Sequence, residues 1–230
     1  MSTIAENIAK VRERIREAAQ ASQRDSQSVG LLAVSKTKPA AAVREAYAAG
    51  QRDFGENYLQ EALAKQAELS DLDLVWHFIG PIQSNKTKLI AEHFHWVHSV
   101  DRLKIAQRLS EQRPAHLPPL NVCLQVNVSG EASKSGCTPQ ELPALAQAVT
   151  QLPRLRLRGL MTIPEPSDDP QAQRAPLARL RQLRDQLHAD LDTLSMGMSQ
   201  DLEAAIAEGA TWVRIGTALF GARDYGSPSL

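Results

Sequence analysis

Lys36 ends a short apolar run, Leu31-Leu32-Ala33-Val34-Ser35-Lys36, and helix-forming sequence begins after Pro39. This puts a primary amine at the C-terminal tip of a first strand, where it could condense with a carbonyl compound to form an imine. Condensation needs the neutral amine. A free lysine has a pKa near ~10.4, so only about one in a few thousand is neutral at pH 7. Burial would lower that value, and Lys38, on the same face of an extended segment, would add like-charge repulsion. A shift of ~3 pH units corresponds to roughly 4 kcal/mol, which a buried site can impose. The competing reading is a pair of solvated loop lysines.

Two further segments could complete such a site. Ser199 precedes Gln200-Asp201-Leu202-Glu203 and reads as a helix N-cap, while Gly216-Thr217 follows the last apolar run. Free backbone N–H groups and hydroxyls at both places suit an anion such as phosphate, although Asp201 opposes one unless it points away. A plain cap and a glycine turn are the alternative. Arg214 shares parity with Gly216 along the final strand, so both can face one side. A guanidinium there must meet an acid or an acceptor, because burying it alone is costly. If the acceptor is a heteroaromatic ring nitrogen, that nitrogen stays unprotonated and the ring is a weaker electron sink. Asn57, His77 and Met161 lie at or near other strand ends. His77, between Trp76 and Phe78, could pack in a strand or lie against a flat ring. The run His93-Phe94-His95-Trp96-Val97-His98 resembles a metal cluster, but a strand sends His95 and His98 to opposite faces, and no cysteine is near. Lys134 could supply a second amine or be a solvated loop lysine.

The elements that must position these residues alternate along the chain. Strands are expected at 31–35, 53–55, 74–80, 96–100, 120–128, 155–163, 193–198 and 212–216. Helices are expected at 39–49, 56–69, 84–92, 102–113, 139–152, 172–191 and 200–208. Leu177, Leu180, Leu187 and Leu191 share one helical face, as a helix covering a sheet requires. Thr138 is an expected N-cap, and Gly50 and Gly209 are expected helix stops. Eight strand signals alternating with helices predict an α/β fold, a closed (β/α)8 TIM barrel, whose functional residues gather at the C-terminal strand ends. Ile4, Ile8, Val11 and Ile15 add an amphipathic N-terminal helix; interleaved Glu6, Glu13 and Glu17 argue against a transit peptide. The whole chain, residues 1–230, is expected to form one domain.

Lysine plus arginine and aspartate plus glutamate each number 26, so formal charge is balanced. A nucleic-acid or anionic-membrane surface would need clustered excess base. Two cysteines without a CxxC spacing favour a reducing, cytoplasmic setting over a disulfide scaffold or zinc site. No apolar run reaches the roughly 18 residues of a membrane span.

Six stretches then resemble one family in order along the chain. They are Ala33-Val34-Ser35-Lys36-Thr37-Lys38; Phe54-Gly55-Glu56-Asn57-Tyr58; Trp76-His77-Phe78-Ile79-Gly80-Pro81-Ile82-Gln83-Ser84-Asn85-Lys86; Gly159-Leu160-Met161-Thr162-Ile163; Ser195-Met196-Gly197-Met198-Ser199-Gln200-Asp201; and Val213-Arg214-Ile215-Gly216-Thr217-Ala218-Leu219-Phe220-Gly221. They resemble the pyridoxal phosphate homeostasis proteins, the YggS/PROSC family, whose barrel is similar to the N-terminal domain of alanine racemases. The resemblance implies pyridoxal 5′-phosphate (PLP) held as a covalent aldimine on Lys36. Ser199, Gly216 and Thr217 would hold the phosphate, Arg214 the pyridine nitrogen, and Asn57, His77 and Met161 the ring. It implies a PLP-binding protein of vitamin B6 homeostasis that delivers the cofactor to PLP-dependent apo-enzymes, with no catalysed reaction, no nucleic-acid or membrane partner, and a monomeric state. The alternative is a PLP-dependent amino-acid racemase or decarboxylase. Racemases append a β-domain and a second base, and the sequence leaves no room for that domain after the barrel. A cofactor-free Schiff-base aldolase acting on sugar phosphates is a third reading.

Overall fold

The computed structural model describes residues 1–132, 135–187 and 190–222. Eight parallel strands close on themselves in sequence order. They are β1 Gly30–Val34, β2 Asp53–Glu56, β3 Val75–Phe78, β4 Trp96–Val100, β5 Leu120–Gln125, β6 Leu155–Met161, β7 Thr193–Ser195 and β8 Trp212–Ile215. Closure is made by β1 on β8, in register from Gly30↔Trp212 to Ala33↔Ile215. The helices are α1 Ile4–Ala21, α2 Ala40–Ala48, α3 Leu59–Glu68, α4 Thr87–His93, α5 Leu103–Gln112, α6 Leu142–Thr150, α7 Pro170–Gln186, α8 Leu202–Ala207 and α9 Thr217–Phe220. This is the expected barrel with an additional helix before its first strand. Among the described residues, no helix is long and apolar enough to cross a membrane.

Strand alternation sorts the core into two layers. Outward residues such as Leu31, Ala33, Phe54, Phe78 and Val213 join the helices in one large core. Inward Leu32 and Val34 pack with Ile79 and Trp212 inside the barrel. α1 buries Ile8, Val11 and Ile15, the face that its apolar spacing predicts, and Thr3 caps it by accepting from the Glu6 N–H. Gly50 and Gly209 follow α2 and α8 with φ of +94° and +103°, a backbone region that glycine enters without steric cost. Gly159 is demanded by contact instead: a Cβ there would sit 1.8 Å from the Thr193 carbonyl oxygen on β7.

Several boundaries differ from the sequence expectation, for local reasons. Glu56 belongs to β2 rather than to a helix, because its carboxylate is drawn inside to Lys65. The segment expected as one helix from 84 opens with a 3₁₀ turn, Ser84–Lys86, before α4. α6 begins at Leu142. Thr138 and Glu141 instead close a reciprocal capping box across the turn before it, Oγ1 accepting from the Glu141 N–H and Oε1 from the Thr138 N–H. α7 ends at Gln186, so its buried stripe is Leu177, Leu180 and Leu183 rather than one reaching Leu191. The four-residue α9 is too short to show a periodic pattern.

Candidate functional site

β1 delivers Lys36 into a tight turn rather than an extended run. The Lys38 N–H donates to the Ser35 carbonyl at 3.0 Å, and Thr37 adopts φ +66°, a left-handed conformation that is costly for a β-branched residue. Lys38 therefore does not share a face with Lys36; its Nζ donates to the Ala222 carbonyl. The turn is held from below by α3. Lys65 Nζ donates to the Ser35 carbonyl at 2.7 Å, and Glu61 Oε1 accepts from the Thr37 N–H at 2.5 Å. Lys65 also ion-pairs with Glu61 at 2.9 Å and with Glu56. One carboxylate, Glu61, and one ammonium, Lys65, thus grip the two peptide groups that flank Lys36, and Glu56 pairs with that ammonium.

Glu56 is fully buried, and burial pushes its carboxyl up to about 7 against the opposing pull of Lys65. A carboxyl whose folded pKa lies above its unfolded value of 4.5 binds more protons when folded. Its contribution is complete below pH ~4.5 and is lost as pH rises towards ~7, at most roughly 3 kcal/mol. Urea unfolding from pH 4.5 to 8 should show the wild type losing stability across that window relative to Glu56→Gln. A constant difference between the two would contradict it.

A cavity of about 430 Å³ opens at the C-terminal ends of the strands, a volume suited to a small-molecule ligand. It brings together Lys36, Asn57, Ser199, Arg214, Gly216 and Thr217 from β1, β2, β7 and β8 and the loops beyond them. His77 and Met161 are not among its lining. Both are fully buried one layer down, His77 stacked on Trp96 and Met161 packed with Trp96 and Cys123. His77 sits mid-barrel because it lies within β3, and only side chains at or past the strand ends reach the mouth.

Arg214 is 5% exposed and meets two uncharged acceptors, Ser195 Oγ at 2.8 Å and the Thr162 carbonyl at 2.9 Å. Among the described residues Arg214 makes no direct salt bridge to an acid on the next strand, the alternative considered from sequence. Burial lowers the guanidinium to about 10, with Asp201 opposing, so it remains a cation at neutral pH. Asn57 Oδ1 is buried without a hydrogen-bond partner among the described residues, an acceptor at the cavity wall.

Ser199 does not cap a helix. α8 starts three residues later, and Asp201 Oδ1 turns back to accept from the Met198 N–H at 2.6 Å. That bond draws the carboxylate onto its own loop, a local competition typical of aspartate. The Ser199 carbonyl is fixed in turn by Arg14 of α1 at 3.0 Å. On the other side of the mouth, Gly216 leads into α9, whose first-turn N–H groups at Thr217 and Ala218 have no helical acceptor.

Sequence reasoning missed one wall. Ile163, Pro164, Glu165, Pro166 and Ser167, between β6 and α7, line the cavity. Their only sequence signal is the loop's prolines, Pro164, Pro166 and Pro170. His95 serves the backbone, its Nδ1 accepting from the Trp76 N–H at 2.9 Å, and His98 lies inside the barrel. Lys134 lies outside the described residues.

Comparisons with known proteins agree with this geometry. Residues 3–224 match the family described as alanine racemase, N-terminal domain. The chain is 81% identical over 229 residues to a pyridoxal phosphate homeostasis protein of Pseudomonas aeruginosa, covering 100% of both chains. It is also similar to two structures of PipY from Synechococcus elongatus PCC7942, each at 45% identity over 95% of this chain and 100% of that one. The TM-score is 0.84 for PipY without PLP and 0.82 with PLP bound.

Proposed function

This chain belongs to the family of pyridoxal phosphate homeostasis proteins, and from that membership we propose that it holds PLP through a Schiff base on Lys36 and hands it to PLP-dependent apo-enzymes. The observation that carries the reading is one cavity lined by Lys36, Arg214 and the two loops at 197–201 and 216–217. PLP, when bound, supplies an aldehyde for the amine, a pyridine ring and a phosphate dianion. The residues present fit each part. Lys36 meets the aldehyde, and Asn57 offers its unpartnered acceptor beside it. Arg214 donates to the ring nitrogen as a permanent cation, which leaves that nitrogen without a proton. Ser199, Gly216, Thr217 and the first-turn amides of α9 receive the phosphate. His77 and Met161 support the ring from the layer beneath rather than by lining the cavity. In this reading the protein stores and transfers a cofactor and catalyses no reaction of its own, working in the cytoplasm as a monomer.

The test is borohydride reduction of the protein equilibrated with PLP, followed by peptide mapping. The tag is expected on Lys36, and a tag on another lysine overturns the assignment. Handover is tested by mixing the loaded protein with a PLP-dependent apo-enzyme while a phosphatase destroys free PLP. Recovery of activity supports transfer, and its absence counts against it. Arg214→Glu should change the absorption of bound PLP and weaken binding by about tenfold or more. An unchanged spectrum and affinity would remove Arg214 from the site. Racemase activity is separated by proton exchange at an amino-acid α-carbon, which the carrier reading expects to be missing.

A further inference from the structure

Four polar side chains join Arg214 to the opposite mouth of the barrel. Arg214 Nη1 donates to Ser195 Oγ at 2.8 Å, and Ser195 Oγ lies 2.7 Å from His98 Nδ1. His98 Nε2 lies 2.8 Å from His77 Nδ1, and His77 Nε2 lies 2.9 Å from Asp53 Oδ1. Ser195, His98 and His77 have no exposed surface. Trp96 stacks on His77 with ring centres 5.4 Å apart, and Trp212 meets it edge-on at 5.0 Å, so the chain runs through a dry, aromatic sleeve. Asp53 begins β2, and its side chain is 28% exposed to a second cavity of about 540 Å³ between α1 and the N-terminal strand ends. The arginines around that cavity have other acceptors: Arg12 the Gln51 side chain, Arg16 Glu13, and Arg52 Asp73.

With both imidazoles neutral, only one proton arrangement satisfies every link. An ionised Asp53 can only accept, so His77 donates from Nε2. A neutral His77 then accepts at Nδ1, so His98 donates from its own Nε2. His98 Nδ1 in turn accepts from the Ser195 hydroxyl, whose oxygen accepts from Arg214, which can only donate. The anion at Asp53 sets this direction, the cation at Arg214 is compatible with it, and both histidines are held as Nε2–H tautomers. Both imidazoles are shifted towards the neutral form by burial.

We propose that Asp53, at the mouth opposite the cofactor cavity, is a positioning residue for Arg214. Its charge polarises the Ser195–His98–His77 chain and so holds the guanidinium aimed at the ring nitrogen of the bound cofactor. The second part rests on the proposed role of Arg214; the direction of the chain does not. The arrangement also supplies a buried arginine with a counter-charge that no neighbouring strand provides directly, transmitted through polarised hydrogen bonds.

Nitrogen-15 NMR of the protein without PLP tests the direction. His77 and His98 should each carry their proton on Nε2 and leave Nδ1 bare. A proton on Nδ1 of either ring overturns the proposal. Asp53→Asn removes the charge and keeps the shape, so both rings should lose their single tautomer. Ser195→Ala, which cuts the link between His98 and Arg214, should leave both rings as Nε2–H tautomers while shifting the bound-cofactor absorption, and it serves if the Asp53 variant fails to fold. With PLP added, Asp53→Asn should shift the bound-cofactor absorption and weaken retention about tenfold, in protein that circular dichroism shows to be folded. In Asp53→Asn, unchanged tautomers, or changed tautomers with an unchanged spectrum and affinity, would end the positioning role, as would an unchanged spectrum in Ser195→Ala. Should wild-type protein take up no PLP, the functional reading falls while the ligand-free NMR still decides the chain.

Discussion

Lys36→Ala should leave a folded protein that no longer forms a reducible adduct with PLP. Removal of the amine deletes the only covalent attachment in the proposed site, while Arg214 and the phosphate-side loops remain. Retention should fall at least ~100-fold, equivalent to roughly 2.7 kcal/mol. The visible absorption of the loaded protein should vanish after dialysis, and borohydride should fix no label. The scaffold should tolerate the change, because the turn is held by its flanking peptide groups through Lys65 and Glu61 rather than by the Lys36 methylenes. A variant that kept the wild-type spectrum after dialysis would rule out Lys36 as the attachment point.

Gly159→Ala should be the most damaging single methyl in the barrel. The added Cβ would lie 1.8 Å from the Thr193 oxygen and 2.6 Å from its carbonyl carbon. Both obstacles are backbone, in a ladder that runs Gly159↔Thr193, Leu160↔Leu194 and Met161↔Ser195, so neither strand can retreat without unpairing. The expected loss is more than ~3 kcal/mol, or a fall in melting temperature of roughly 6–12 °C. Gly216→Ala is the informative contrast. Its new Cβ would meet Val34 at an ordinary 3.5 Å, so it should fold normally while narrowing the proposed cofactor cavity. Calorimetry of the two variants checks this; equal melting temperatures would contradict the steric argument.

The parts of the molecule written in local sequence were the parts that could be read there. Strand and helix alternation gave the barrel, and the rule that chemistry gathers at C-terminal strand ends brought Lys36, Asn57, Ser199, Arg214, Gly216 and Thr217 to one cavity. Depth along a strand was harder. His77 looks like a lining residue until β3 is measured and its ring is found mid-barrel on Trp96. Glu56 looks like the start of a helix, because its partner Lys65 lies nine residues away, beyond any local pattern. The cap at Ser199 failed because Asp201 took the Met198 amide, a choice between neighbouring polar groups that spacing cannot decide. The wall at 163–167 has no periodicity of its own and acquires a role only through the curvature that bends it over the mouth.

The amino-terminal helix reads in sequence as an appendage, yet it clasps the two segments proposed to receive the phosphate. Arg14 of α1 donates to the Ser199 carbonyl and forks onto Glu203 of α8, and Asn7 donates to the Leu219 carbonyl in α9. In the proposed reading, anion grip and helix docking are therefore one mechanical unit. Peeling α1 away, by a protease or a competing surface, would slacken both sides of the anion cradle together, and a phosphate seated there would in return pin the helix down.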